Sequence, residues 1–302
     1  LDKYDVNNYT QYGGEHYSCD LMYDKMVKFV EDNASSPFFV MWTTTVPHSA
    51  VQAPLDEVMH YVDKLGDEEP GTDPGRYLPN RYPHATYAAM VTHIDKQVGD
   101  LVQKLKDLGI WENTIFIVTS DNGPASNGNS PMEYFRSGGP FKCGKGWGKS
   151  SLHEGGIRMP FVLRWGEGKQ CEKTQHISSF ADIMPTLAEI VGVEAPENDG
   201  VSFAPTVLSQ TAGGQQYSHA SGIKAGEQKE HEYLYWEFPG SKGWVAVRMG
   251  EWKGIVRKVL KGNTEMELYN LKEDPRESKD VASEHPEIVK EMWKAVKESH
   301  RE

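Results

Sequence analysis

Val91, Ile94, Val98, Leu101, Leu105 and Leu108 recur in steps of three and four, and Gly109 follows. That spacing predicts an amphipathic helix over 86–108 with a glycine stop. A second stripe, Met22, Met26, Phe29 and Val30, predicts a helix over 18–33 with Ser18 as its N-cap. "FADIMPTLAEIVG", 180–192, is a third, with Pro185 near its start and Gly192 at its end. Between the helices the pattern changes. Phe38–Thr44, Ile115–Val118 and "MPFVLRW", 159–165, are continuous apolar runs and predict strands. Strands that are apolar rather than alternating imply a sheet covered on both faces by helices, an α/β arrangement. In such sheets ligands bind beyond the carboxyl ends of the strands. His48 and Asp121-Asn122 fall just past two of them.

The pattern weakens in three places. Residues 65–85 and 123–149 are rich in turn formers and predict long loops, which in compact domains are often functional. "TVLSQTAGGQQYSHASGIKAGEQKE", 206–230, has the composition of a linker or surface insertion. Beyond it "EYLYWEF", "WVAVRMG", "WKGIVRK" and "MELYNL" predict a small antiparallel sheet. The stretch 283–297 predicts a final helix with Ile288, Val289, Met292, Trp293 and Val296 on one face. Two domains are expected: an α/β domain over 1–207 and a smaller α+β domain over 208–302.

Composition narrows the function. The formal charge of −12 excludes the basic footprint that nucleic acid demands. A few local cations can still attract a small anion. No run of 18 apolar residues is present. Cys19, Cys143 and Cys171 form no CxxC, which argues against a zinc cluster and leaves one disulfide or three thiols open.

Asp121-Asn122-Gly123 has two readings: a turn, because these residues leave strands readily, or two side-chain oxygens presented to a metal. "GWGKSSLHEGGIRMP", 146–160, also has two. Lys149 and Arg158 supply cations and Gly155-Gly156 allows close ligand approach, or the stretch is a solvated loop. "CGKGWGKS" imitates a phosphate loop, but Cys143 replaces the first glycine and a strand rather than a helix follows, so a nucleotide site is excluded. His48 stands alone behind Pro47 at a strand end, and a lone histidine is more often structural than chemical. There is no G-x-S-x-G and no HExxH.

Eight stretches occur in order along nearly the whole chain: "TTTVPHSAVQAP", "ATYAAMVTHIDKQVGDLVQKL", "IFIVTSDNGP", "GKSSLHEGGIRMPFVLRW", "ADIMPTLAEIVG", "DGVSFAPTVL", "AVRMGEWKGI" and "ELYNLKEDPRESKDVA". Together they resemble the type I, formylglycine-dependent sulfatases of the alkaline phosphatase superfamily. The resemblance implies an alkaline-phosphatase-like covered mixed sheet with a small C-terminal α+β domain of antiparallel strands and a helix. It implies that Asp121 and Asn122 bind a calcium ion. His48 would contact the sulfate and serve the leaving oxygen, and Lys149 would bind the sulfate. Arg158 would be structural, pairing near its loop. The implied substrate is a sulfated carbohydrate or aryl sulfate, and the implied compartment is periplasmic, extracellular or otherwise secretory.

The sequence also departs from that family. None of the three cysteines lies in the Cys-x-Pro/Ala-x-Arg pattern that is converted to formylglycine. The family's Asp-Asp pair and Gly-Lys-x-x-His motif are missing as well. The chain is therefore expected to be the C-terminal portion of a sulfatase, lacking the nucleophile and half the metal site. It would hold calcium weakly, because that ion takes six to eight oxygens. By itself it would be inactive, and open sheet edges would favour self-association or a complementing N-terminal segment. Two alternatives remain: a phosphate or phosphonate ester hydrolase of the same superfamily, and a non-catalytic module that binds sulfated glycans.

Overall fold

The structure, a computed structural model, describes residues 2–73, 77–126, 130–166, 173–221, 226–240 and 243–300. Two compact units are present: Leu1–Trp111 with Ala125–Arg136, and Glu112–Pro124 with Ser137–Glu302. The sequence boundary after 207 falls inside a helix of the second unit.

The first unit is built on three helices, α1 (Ser18–Asn33), α2 (Leu55–Leu65) and α3 (Pro83–Asp107). The first and third occur where periodicity predicts them; α2 is an addition. Val58 of α2 packs against Ala85 and Ala89 of α3, where small side chains let the helices approach. Cys19, Val46, Val51 and Met90 form a second cluster. The buried face of α3 differs from its apolar stripe. Val91 is 43% exposed, while His93 and Gln97 are buried. The reason is polar. His93 Nε2 and Gln97 Nε2 reach Asp20 Oδ1 of α1 at 2.7 and 2.9 Å, and His93 Nδ1 lies 3.0 Å from Glu57 of α2. One imidazole thus ties three helices together.

Phe38–Thr44 is not a strand; the segment runs without a ladder, and Phe39 and Met41 are 73% and 74% exposed. An apolar run favours extended backbone, but a strand also needs a neighbour, and periodicity says nothing about neighbours. The expected loop 65–85 contains a small antiparallel hairpin of β1 (Gly71–Asp73) and β2 (Tyr77–Asn80).

In the second unit β3 (Ile115–Thr119) pairs antiparallel with β4 (Phe161–Trp165), from Ile115↔Trp165 to Thr119↔Phe161. Ile115, Leu163 and Trp165 pack against α5 (Ile183–Val191) and α6 (Ala204–Gln210) through Ile190, Phe203, Val207 and Leu208. The opposite face carries Val118 and Val162, which are exposed. The expected linker over 206–230 is instead largely helical, with α6 followed by α7 (Ala212–Ser221). Its Gly213-Gly214 pair resembles a linker only in sequence. A Cβ on Gly213 would strike the Trp165 ring, so the glycine serves close packing.

The C-terminal sheet matches the four predicted segments. Strands β5 (Leu234–Phe238), β6 (Trp244–Met249), β7 (Trp252–Arg257) and β8 (Met266–Asn270) are antiparallel neighbours in chain order. Helix α8 (Pro286–Ser299) lays Met292 and Val296 on Val245, Val247, Val256 and Leu268. The other face buries Ala246, Ile255 and Tyr269 with Leu152 of the glycine-rich loop. No helix among the described residues is long and apolar enough to cross a membrane.

Candidate active site

The apolar β3 ends in Ser120-Asp121-Asn122-Gly123-Pro124, and the backbone there is held tightly. Gly123 N donates to Gly156 O at 2.9 Å, and Lys149 N donates to Pro124 O at 2.8 Å. A Cβ on Gly123 would fall on the Gly155 carbonyl, so only glycine fits where this strand end meets the Glu154-Gly155-Gly156 turn. Gly155 and Gly156 are equally confined, by carbonyls of Lys142, Trp147, Gly148 and Ser151. Asp121, Asn122 and Lys149 are therefore brought to one place by backbone hydrogen bonds around α4, the single turn Glu154–Ile157. Of the two sequence readings of Asp-Asn-Gly, the bend of the backbone at 121–123 is seen directly.

Asp121 is exposed, and among the described residues its one hydrogen-bond neighbour is the Ser120 hydroxyl at 3.5 Å. Asn122 Nδ2 donates to Gly123 O at 3.0 Å, which fixes the amide and leaves Oδ1 without a hydrogen bond among the described residues. A carboxylate and an oriented amide oxygen are hard donors that fit calcium. The described residues contain no group of three or more His, Cys, Asp or Glu arranged to hold a metal, so this pair alone could supply only part of a calcium ligand set. The Lys149 ammonium has no acidic partner among the described residues and stays available to an anion.

Beneath this loop lies a buried ionic network that the sequence does not announce. Glu154 Oε1 accepts from Lys253 Nζ at 2.8 Å, and Glu154 Oε2 from Arg158 at 2.9 Å. Lys253, on β7, is fully buried, as is Glu154. Glu277 Oε2 accepts from Glu154 N at 2.7 Å, while its Oε1 is 3.3 Å from Lys253 Nζ and 3.2 Å from His153 Nδ1. The His153 ring is buried and stacks on Trp147 at 3.9 Å. Burial pushes the Glu154 carboxyl up, but the Lys253 cation and the Arg158 hydrogen bond outweigh it and hold the group down at about 2. Arg158 is structural, as the resemblance implied. One signal of Lys253 was in the sequence. In "WKGIVR" it shares the inward face with Ile255, a charge on the core side of a strand.

His48 belongs to the first unit. Its backbone N donates to Thr45 O at 2.8 Å, and its ring Nδ1 lies 2.7 Å from Ser49 O. A carbonyl can only accept, so Nδ1 carries the hydrogen and Nε2 is the nitrogen free to exchange a proton. The ring is exposed. Cys19 is a free, buried thiol; Cys171 lies outside the described residues.

The sulfatase family matches residues 1–193, and the C-terminal family of N-sulphoglucosamine sulphohydrolase matches residues 145–302. The chain belongs to the sulfatase family. It is similar to the N-acetylgalactosamine-6-O-sulfatase of Bacteroides thetaiotaomicron, with 27% identity over 70% of this chain and 43% of that one. The human N-acetylgalactosamine-6-sulfatase is 26% identical over 87% of this chain and 48% of its own length. Among solved structures, one from the glycosaminoglycan metabolism of B. thetaiotaomicron covers 93% of this chain and 54% of that one, with TM-score 0.68 and 24% identity. The phosphonate monoester hydrolase of Silicibacter pomeroyi covers 93% and 59%, with TM-score 0.64 and 16% identity. The fold is thus the mixed α/β, alkaline-phosphatase-like fold. The chain spans about half the length of the known relatives it matches.

Proposed function

We propose that this protein acts in the hydrolysis of a sulfate ester on a carbohydrate, giving an alcohol and inorganic sulfate. The observation that supports this reading is the strand end at 121–124, whose Pro124 carbonyl accepts from Lys149 N and so joins the segment bearing Asp121 and Asn122 to the one bearing Lys149. The names of the similar sulfatases support a sulfated sugar as the substrate class. Family resemblance assigns the remaining roles. A calcium ion held by Asp121 and Asn122 would neutralise the non-bridging oxygens of the sulfate. Lys149 adds a fixed positive charge against the same group. His48, held through its Nδ1–H by Ser49 O, gives the departing oxygen a proton from Nε2 when both ring nitrogens carry hydrogen. No residue of this chain is assigned as the formylglycine nucleophile. The compartment that goes with this reading is periplasmic, extracellular or secretory.

The test is calorimetric. Inorganic sulfate is titrated into the chain with and without calcium. Sulfate affinity should rise with calcium, fall roughly tenfold or more in Lys149→Ala, and lose its calcium dependence in Asp121→Ala. Sulfate binding indifferent to calcium and to both substitutions refutes the reading. Phenyl phosphonate serves as a competitor, because the phosphonate hydrolase shares the fold; tighter binding of phosphonate than of sulfate would favour that alternative.

A further inference from the structure

Tyr77 opens β2, and its ring meets the His48 ring edge to face, with centroids 6.2 Å apart and planes at 73°. It is in neither of the two apolar clusters described above and is 40% exposed. The hairpin that carries it is nonetheless held in place. Asn80 Nδ2 donates to Val51 O at 2.8 Å, three residues beyond His48, and Asn80 Oδ1 accepts from Tyr82 N at 2.8 Å at the start of α3. A large aromatic ring is thus left open to solvent beside the imidazole, on a strand whose far end is tied down.

We propose that Tyr77 is a substrate-binding residue that stacks on the pyranose ring of a sulfated sugar and separates sugar sulfates from small sulfate esters; this rests on the assignment of His48 to the leaving oxygen. The ester oxygen that takes a proton from His48 Nε2 is joined to the sugar ring through a bond or two. The ring therefore lies about one ring width from the imidazole, the distance at which Tyr77 stands. The face of a pyranose is a row of C–H groups, which an aromatic face covers while the hydroxyls stay hydrated at the rim. Methyl sulfate has the same anion and no ring, so with its ester oxygen at His48 it does not reach Tyr77.

The experiment compares galactose 6-sulfate with methyl sulfate. Their affinities for the full chain are measured by calorimetry in calcium, for the unsubstituted protein, Tyr77→Phe, Tyr77→Ala and His48→Ala. Tyr77→Ala should weaken galactose 6-sulfate about five- to tenfold relative to methyl sulfate, the scale of one aromatic contact, and Tyr77→Phe should restore the ratio. His48→Ala should weaken both ligands together. An unchanged ratio in Tyr77→Ala, or no recovery in Tyr77→Phe, overturns the inference while the sulfatase reading stands. Failure of the unsubstituted protein to bind either ligand, or indifference of both to His48→Ala, overturns that reading and the inference with it.

Discussion

Replacing Lys253 by Met should destabilise the second unit by about 3–5 kcal/mol, the usual cost of removing one partner from a buried ion pair. The two side chains are similar in length and apolar volume, so the change isolates the charge. Lys253 is the cation for both Glu154, at 2.8 Å, and Glu277, at 3.3 Å. Without it Glu154 keeps only Arg158 and the more distant Arg248, 3.9 Å away, and Glu277 keeps no lysine. The pKa gives an independent scale. A carboxyl held at about 2 instead of its ordinary 4.5 carries about 3 kcal/mol of preference for the ionised folded form at neutral pH. Because the folded value is depressed, that contribution is present above 4.5 and disappears as pH falls toward 2. The assay is urea denaturation between pH 3 and 7, followed by tryptophan fluorescence. The unsubstituted protein should weaken as pH drops below about 4.5, whereas Lys253→Met should be weak already at pH 7 and change less with acid. Lys253→Met with Glu154→Gln should recover part of the loss, since a neutral amide tolerates burial without a cation. If Lys253→Met costs under about 1 kcal/mol at pH 7, the ammonium is not what holds Glu154 ionised, and the account of this network is wrong.

Gly123→Ala should lose sulfate affinity together with at least about 2 kcal/mol of stability, because the backbone carbonyl of Gly155 occupies the space its methyl needs; equal thermal midpoints and sulfate titrations for both proteins would contradict this. Burial disfavours charge on His93, but the hydrogen bonds it donates to Glu57 and Asp20 outweigh that and raise its pKa. The protonated ring therefore contributes stability below about 6.5 that is lost as pH rises through the folded value, and Tm measured from pH 5 to 9 should slope downward more steeply in the unsubstituted protein than in His93→Gln. Gly213→Val should unfold the contact between α7 and Trp165, which limited proteolysis would detect as earlier cleavage near 212–221.

How much of this could be read from the sequence varied by element. The helices at 18–33 and 86–108 and the four C-terminal strands carried periodicity strong enough to be placed directly. Phe38–Thr44 misled because apolar character reports a preference for extended backbone and not the presence of a partner. Gly213-Gly214 misled because composition cannot distinguish a glycine that loosens a chain from one that lets a helix touch an indole. Asp121, Asn122 and Lys149 were found as motif residues, and the hydrogen bonds that gather them run between backbone atoms, which side-chain identity cannot report. Glu154, Lys253 and Glu277 were missed as a group because the separation is 99 residues between the first pair alone. A lysine on the inward side of a strand hints at a buried partner without saying which one.

The glutamate at 154 receives its cation from β7 and its backbone acceptor from residue 277, so the turn Glu154–Ile157 is assembled from stretches on both sides of residue 207. The terminal sheet is thus no detachable appendage. A chimera that grafted a foreign C-terminal module after 207 would strand an acid in the interior and release that turn. Swapping of specificity between relatives should then succeed only when the recipient loop and the donor sheet travel together.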